Sequence, residues 1–252
     1  GSIQLPKNSI VTILNGDFSI KDNKFSGISK RTPYGSSATH GVALITNKNS
    51  SKIILIPIPK GSISNDKNLA LESRSTIDFH DVEILGSSEV EFSSDYIFKI
   101  GALMRSCQIA GGLEFLLEQS VQYANDRIQF GRPIAKFQAI QQELAVLATH
   151  AAASGVAADY ACLSMEDGCE DLAIASAKSR VDDAVSICAS IAHQVHGAIG
   201  FTYEHGLHFA TRRLWSWRAE YGAGSYWAKF LGEKAVASGA KKFWPSITNG
   251  KI

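Results

Sequence analysis

The hydrophobic pattern of the chain changes near residue 90, and this change constrains the fold more than any other feature. Before it, short apolar runs alternate with turn residues, as in Ile10–Leu14, His40–Thr46 and Lys52–Pro59. This pattern predicts five to seven short strands in a small β-barrel or sandwich. After Asp95, apolar residues recur at intervals of three and four, which predicts long helices. The expected fold class is therefore α+β, with the β-domain followed by an antiparallel four- to five-helix bundle.

The boundary between the two predicted domains lies between residues 92 and 93. Residues 1–92 would form the β-domain and residues 93–252 the bundle. A further pair of strands is expected at Ser75–Phe79 and Val82–Leu85. Helices are expected at about 100–124, from Pro133 past Tyr160, from Glu170 to Gly197 or Gly200, and at about 205–218 and 225–240, followed by a tail with Pro, Asn and Gly.

Composition and charge exclude several classes of protein. The chain has 252 residues, of which 45% are hydrophobic and 19% charged, as in an ordinary globular protein. A net charge of +1 without long basic runs gives no basis for binding nucleic acid. We expect no membrane span, because no apolar stretch approaches about 20 uninterrupted residues. Without a signal-peptide pattern, the expected location is the cytoplasm.

Cysteine and histidine spacing does not predict a metal site. The cysteines show no CxxC spacing and are expected to be small core residues in a reducing compartment: Cys107, Cys162, Cys169 and Cys188. A group of histidines lies in one segment, but glycines interrupt it and it offers no cysteine ligand: His193, His196, His205 and His208. We therefore expect no metal there.

The segment 127–133, RIQFGRP, places two arginines, an aromatic ring and a glycine between two predicted helices. Pro133 suits the first turn of the second helix, where its missing N–H is not needed. A positive turn beside the amides of a helix N-terminus can hold a phosphate-bearing ligand. The alternative is a solvated turn whose arginines cap the preceding helix. The residues alone leave both interpretations open.

Three motifs give the chain its resemblance to a known family. They are DFHDVEILGSSEV at residues 78–90, YANDRIQFGRPIAKFQAIQ at 123–141 and QVHGAIGFTYEHGLHFATRR at 194–213. In order and spacing they closely resemble the acyl-CoA dehydrogenase family. The resemblance implies FAD as cofactor, an acyl-CoA thioester as substrate and an electron-transfer flavoprotein as acceptor. It also implies a homo- or hetero-oligomer, either a tetramer or an α2β2 assembly.

The resemblance also implies a set of cofactor contacts, which in this family usually cross a subunit interface. The implied residues are Arg127 at the FAD pyrophosphate, Gln129 and Phe130 along the adenosine half, Phe137 and Gln138 at the start of the next helix, and Gln194, His196 and Gly197 at the adenine-ribose end.

The family's catalytic base is missing from its expected place. The usual glutamate, which abstracts the α-proton of the thioester, corresponds here to Tyr221. A minority of members place it at a position that corresponds to about Gly101. A phenol is a poor base unless its environment is strongly perturbed. Glu220, one residue earlier, is the candidate for a relocated base, although one residue turns a helical side chain by about 100°.

Other departures concern the rest of the family pattern. The N-terminal helical domain is absent from this sequence, and SKRTPY, Ser29–Tyr34, replaces the strand that packs against the flavin. Some bacterial members are α2β2 assemblies in which one subunit keeps the base. Two hypotheses follow from the resemblance. The chain is an FAD-dependent acyl-CoA dehydrogenase that desaturates an acyl-CoA, or it is a catalytically silent partner subunit or truncated paralogue that supplies FAD contacts and an oligomer interface.

An arginine and tryptophan cluster follows the third motif. Arg212, Arg213 and Arg218 share a predicted helix with Trp215 and Trp217. The arginines could pair with carboxylates and pack at an interface, or they could bind the phosphates of CoA or FAD. We favour the structural role from sequence alone.

Overall fold

The computed structural model describes residues 3–47, 50–165 and 170–249. The chain divides into two compact units, Gly1–Ile97 and Phe98–Ile252. The first unit holds two β-sheets and the second holds long helices, so the predicted α+β fold class is confirmed.

The first unit consists of two four-stranded sheets, with the orders β1-β4-β5-β8 and β2-β3-β7-β6. The strands are β1 (Val11–Ile13), β2 (Phe18–Lys21), β3 (Lys24–Pro33), β4 (His40–Asn47), β5 (Ser50–Pro57), β6 (Ile63–Ser64), β7 (Arg74–Glu83) and β8 (Gly86–Val90). β1 and β4 pair in parallel, and the other pairs are antiparallel. Apolar residues of both sheets, among them Phe25 and Ile54, share one buried core. This arrangement is a β-sandwich.

Two features of the sheets differ from the sequence prediction. Phe18–Pro33 forms a hairpin that was not predicted, turning at Asp22 and Asn23 with φ of 51° and 60°. Positive φ at both positions is typical of a two-residue hairpin turn. β7 is one strand where two were predicted: His80 and Asp81 form an irregularity opposite Ser26 of β3, and the pairing continues on both sides of it. The Asp81 N–H donates to Ser26 Oγ at 2.9 Å across this irregularity.

The second unit is a bundle of helices joined by short connections. Its elements are α1 (Tyr96–Asp126), β9 (Ile128–Gln129), β10 (Arg132–Pro133), α2 (Gln138–Leu163), α3 (Glu170–His196), α4 (Leu207–Trp217), α5 (Gly224–Ser238) and α6 (Ala240–Asn249). Residues of α1, α2, α3 and α4 share the main buried core, in which α3 contributes small apolar residues such as Ala184 and Ala192. Small side chains let neighbouring helices approach closely and fill the centre without voids.

Three local predictions about the bundle were wrong. Pro133 does not begin a helix; it lies in β10, before a 3-10 turn at Ile134–Lys136, and α2 begins at Gln138. The expected C-terminal tail is helical through Asn249, with Pro245 inside α6. Among the cysteines, only Cys188 of the three in the described residues is buried, whereas Cys107 and Cys162 are exposed. Cys169 lies outside the described residues.

One helical segment of the described residues, Asp171–Phe201, has the length and hydropathy of a membrane span, although none was predicted. An 18-residue stretch of this segment has a mean hydropathy of 1.2, and half of that stretch is buried inside the protein. The core helix of a soluble bundle meets the same criteria, so this property is weak evidence for a membrane.

Candidate functional site

A tight β-hairpin connects α1 to α2 and carries the RIQFGRP motif. Gln129 pairs with Arg132, and the two-residue loop Phe130-Gly131 has φ of 53° and 79°. Such a loop forms a type I′ turn, which glycine adopts at little cost and a bulky aromatic residue rarely adopts. Phe130 therefore has an unusual backbone conformation at the tip of the hairpin.

Four of the predicted FAD contacts lie exposed around this hairpin: Arg127, Gln129, Phe130 and Gln138. The Phe130 ring is 91% exposed and meets the half-buried Phe137 ring edge to face, at 6.1 Å between centroids. The Arg132 guanidinium lies 4.3 Å from the centroid of Phe137. No side chain caps the N-terminus of α2. The hairpin thus presents two cations, an aromatic face and a helix N-terminus to solvent, a combination suited to a nucleotide.

The end of α3 packs beside the end of α1. The His196 ring stacks on Tyr123 at 4.5 Å between centroids, and Arg127 N donates to Tyr123 O at 2.9 Å. Gly197 ends the helix with a φ of 61°, and it and Gln194 are exposed. These contacts bring the third motif to the base of the hairpin.

His196 differs from the other predicted FAD contacts, because it is only 3% exposed. Its Nδ1 bonds Ala192 O at 2.7 Å, while Nε2 is buried without a hydrogen-bond partner. Its ring therefore packs on Tyr123 from within the bundle, and its predicted place at the adenine-ribose end stays a prediction. Burial lowers its pKa below the usual value, the bond to Ala192 opposes this, and His205 and His193 lower it further.

Because His196 is buried, we expect the stability of the protein to depend on pH. Because its folded pKa is lowered, the unfolded chain binds the proton first as pH falls below about 6.5, and stability is lost there. We expect the free energy of unfolding to fall by up to about 1.4 kcal/mol per pH unit for this imidazole. His196→Phe, which keeps the stack on Tyr123, should flatten the slope measured by urea denaturation between pH 7 and 5. An unaltered slope in His196→Phe would contradict the assignment.

The second part of the site is the connection between α4 and α5, which holds the position of the family's base. Tyr221 lies there with a φ of 54°, followed by Gly222 with a φ of 87°. A Cβ built on Gly101 of α1 would lie 2.3 Å from the Tyr221 ring. The Tyr221 ring thus covers Gly101, so the two positions to which the resemblance assigns the glutamate lie against each other. Trp227 Nε1 donates to Tyr221 O at 3.0 Å and fixes the turn.

Glu220 faces a different partner. Its side chain is 9% exposed, and its Oε2 accepts from Arg105 Nε at 2.7 Å and lies 2.5 Å from Arg105 Nη2. The two Arg105 nitrogens thus form a charge-assisted pair with one oxygen of the carboxylate. This pairing gives Glu220 a structural role in the bundle.

A buried cation holds both ends of this connection. Lys178 of α3 is fully buried, and its Nζ donates to Arg218 O and Gly222 O, each at 2.7 Å. Burial lowers the pKa of Lys178 to about 8, while nearby Asp182 opposes the shift. Two backbone carbonyls are thereby fixed on either side of Tyr221. Sequence reasoning missed Lys178, because no motif marks it.

Of the three arginines in the arginine and tryptophan cluster, Arg218 has the structural role that we favoured. Its Nε donates to Asp182 Oδ1 at 2.9 Å and its Nη1 to Ser186 Oγ at 2.6 Å. The guanidinium also lies 5.0 Å from the centroid of Trp215. The i, i+4 spacing of Lys178 and Asp182 is no clear signal in the sequence, because α3 also carries Arg180 and Asp183.

Two features from the sequence analysis remain: the group of histidines and the segment Ser29–Tyr34. In the described residues, no group of three or more His, Cys, Asp or Glu side chains could hold a metal ion. The segment Ser29–Tyr34 ends β3, where Ser29 and Thr32 are buried and their hydroxyls bond at 2.8 Å.

Comparison with known proteins identifies the class of the chain. Residues 94–225 match the acyl-CoA dehydrogenase C-terminal domain, and the chain belongs to the acyl-CoA dehydrogenase family. Acyl-CoA dehydrogenase IpdE2 of Mycobacterium tuberculosis is 37% identical over 113 residues, which cover 44% of this chain and 34% of IpdE2. Acyl-CoA dehydrogenase FadE34 of the same organism is 35% identical over 127 residues, which cover 49% of this chain and 18% of FadE34. The chain thus matches about a third or less of the length of these relatives.

Solved structures share the fold across both units. The ChsE4-ChsE5 complex from Mycobacterium tuberculosis has a TM-score of 0.79 at 18% identity, covering 92% of this chain and 68% of that chain. Butyryl-CoA dehydrogenase from Megasphaera elsdenii has a TM-score of 0.77 at 16% identity, covering 90% of this chain and 68% of that chain. At these identities the likeness establishes the fold alone.

Proposed function

We propose that the chain acts in an FAD-dependent acyl-CoA dehydrogenase that desaturates an acyl-CoA thioester. Within it, the chain is a subunit that supplies FAD contacts and an oligomer interface, while another subunit supplies the base. The observation that carries this proposal is the Tyr221 ring lying over Gly101, because it fills both positions of the family's glutamate with groups that cannot accept a proton at neutral pH.

The hairpin fits the adenosine half of FAD. Arg127 would pair with the pyrophosphate, the exposed Phe130 ring would lie along the adenosine, and the uncapped N-terminus of α2 would face the negative charge. Gln194 and Gly197 would border the adenine-ribose end. When bound, FAD supplies the acceptor for the hydride from Cβ of the thioester. The chain's own residues orient and hold the cofactor's nucleotide half.

The proposal also includes a partner subunit, an electron acceptor and a location in the cell. A structural neighbour is a complex of two chains, ChsE4 and ChsE5, which is the kind of assembly that we propose here. An electron-transfer flavoprotein is the proposed electron acceptor, and the cytoplasm is the proposed location.

The second candidate function is an active dehydrogenase in which Glu220 is the base. A buried carboxylate one residue from the family's position favours it, whereas the pair with Arg105 opposes it. A visible absorption spectrum separates the two candidates, taken on the chain alone and on the chain co-expressed with the product of its neighbouring gene. Flavin colour only in the co-expressed sample, bleached by acyl-CoA, supports the partner subunit. Colour that bleaches in the chain alone supports the active enzyme, and absence of flavin from both samples would overturn FAD binding.

Arg127→Ala tests the cofactor site. Loss of a charge-assisted phosphate contact should raise the Kd for FAD by about 10- to 150-fold, measured by fluorescence titration of whichever assembly binds flavin. Arg127→Lys should recover part of the affinity, because it keeps the charge but loses the guanidinium fork. Lys229→Ala removes an exposed charge of α5 and serves as the control. Equal FAD affinity in Arg127→Ala and Lys229→Ala would remove Arg127 from the site.

A further inference from the structure

Two cysteines of the bundle lie against each other at its surface. Cys107 of α1 and Cys162 of α2 are both exposed, and their Sγ atoms are 3.5 Å apart. The two residues are 55 positions apart in sequence, so the contact joins separate helices. Neither thiol takes part in the proposed cofactor contacts or in the region of the family's base.

We propose that Cys107 and Cys162 form a dithiol site that low-molecular-weight disulfides of the glutathione type oxidise to an intramolecular disulfide. A disulfide needs an S–S distance of about 2.05 Å. The sulfurs must therefore approach by about 1.5 Å, which rotation of exposed side chains can supply. Exposure gives a small disulfide reagent access to both sulfurs, whereas the buried Cys188 has no such access.

The reaction proceeds by two exchanges. The Cys162 thiolate attacks one sulfur of the reagent, forms a mixed disulfide and releases one thiolate of the reagent. The Cys107 thiolate then attacks the Cys162 sulfur, closes the protein disulfide and releases the second thiolate. The protein loses two electrons and two protons, and the reagent is reduced to two thiols. We assign the first attack to Cys162 because partial burial of the otherwise exposed Cys107 thiol and its bond to Cys162 raise the pKa of Cys107 to about 11.

The disulfide would close α1, the hairpin and α2 into one covalent loop. α1 ends at Asp126 and α2 begins at Gln138, so the bond lies at the end of the helix pair remote from the hairpin. A loop of this length restricts the unfolded chain and stabilises the folded one. In a reducing compartment the pair stays a dithiol, and oxidising conditions would rigidify the bundle reversibly.

Peptide mapping tests the proposal on the purified full-length chain carrying Cys169→Ser. The protein is treated with oxidised glutathione, its remaining thiols are alkylated, and it is digested without reductant. We expect a linked peptide pair containing Cys107 and Cys162 that is two hydrogens lighter than the sum of the reduced peptides. A rise in Tm of roughly 5–15 °C should accompany it and disappear with dithiothreitol.

Serine variants make the test decisive. Cys107→Ser should accumulate a mixed disulfide with glutathione at Cys162 and show no rise in Tm, and Cys162→Ser should show no rise either. Alkylation of both thiols after the oxidising treatment would overturn the proposal, as would a disulfide between two chains. Far-UV circular dichroism of the reduced variants shows whether they are folded. If Cys107→Ser is not, Cys107→Ala replaces it.

Discussion

Replacing Glu220 with leucine should lower the free energy of unfolding by about 3–5 kcal/mol, measured by urea denaturation. Glu220 and Arg105 are both buried, and their atoms approach to 2.5 Å. Without the carboxylate, the Arg105 guanidinium would stay buried with its charge uncompensated. Its remaining contacts are the Gln108 side chain and the Trp217 ring, 5.5 Å from the ring centroid. These contacts cannot replace a negative charge.

A double-mutant cycle isolates the pair. Arg105→Met should cost a similar amount, and the double variant Arg105→Met with Glu220→Leu should lose much less than the sum, because each charge is removed together with its partner. The exposed pair Lys229–Glu233, 3.7 Å apart, provides the control, and Glu233→Leu should change stability by less than about 1 kcal/mol. Additive losses in the cycle would show that the two side chains do not depend on each other.

The same variants address catalysis. Glu220→Gln keeps the shape of the side chain and removes its charge. If Glu220 were the base, this variant would lose desaturation while remaining folded. If Glu220 has only a structural role, Glu220→Gln should lower the stability of the protein, and each folded molecule should still bind FAD. A stable variant without turnover would therefore contradict the partner-subunit proposal and revive Glu220 as the base.

Long periodic segments explain why the bundle could be predicted from sequence. Repeats of apolar residues at three and four positions recur over α1, α2 and α3, and the signal accumulates with length. The hairpin Phe18–Pro33 was missed because its exposed residues do not alternate cleanly with apolar ones. Pro133 was misplaced because proline is also compatible with the end of a short strand, and tertiary context decided between the two.

The exposed residues of the candidate site could be predicted from the sequence. RIQFGRP indicated a cationic, aromatic turn, and the structure presents Arg127 and Phe130 to solvent. The burial of His196 was not predicted, because a motif position does not reveal whether a ring points outward or into the core. Lys178 and Arg105 were missed for a related reason. Charged residues on a helix are read as solvated unless a partner distant in sequence is known.

Replacing Gly101 with alanine should lower the free energy of unfolding by about 1–3 kcal/mol through overpacking. The added Cβ would lie 2.3 Å from the Tyr221 ring, inside any tolerated contact. Tyr221 cannot retreat freely, because its carbonyl accepts from Trp227 and its φ is 54°. The steric cost should exceed the roughly 0.5–1 kcal/mol that alanine gains over glycine within a helix.

Gly111 of the same helix supplies the matched control, because a Cβ there would meet no atom within 4 Å. Gly111→Ala should therefore raise stability by about 0.5–1 kcal/mol, opposite in sign to Gly101→Ala. Combining Gly101→Ala with Tyr221→Ala should remove the overlap, so that the pair loses less than the two single changes together. Urea denaturation of Gly101→Ala, Tyr221→Ala, their combination and Gly111→Ala measures these changes in stability. If both glycine variants were stabilised equally, Tyr221 would not cover Gly101, and the partner-subunit proposal would lose the contact on which it rests.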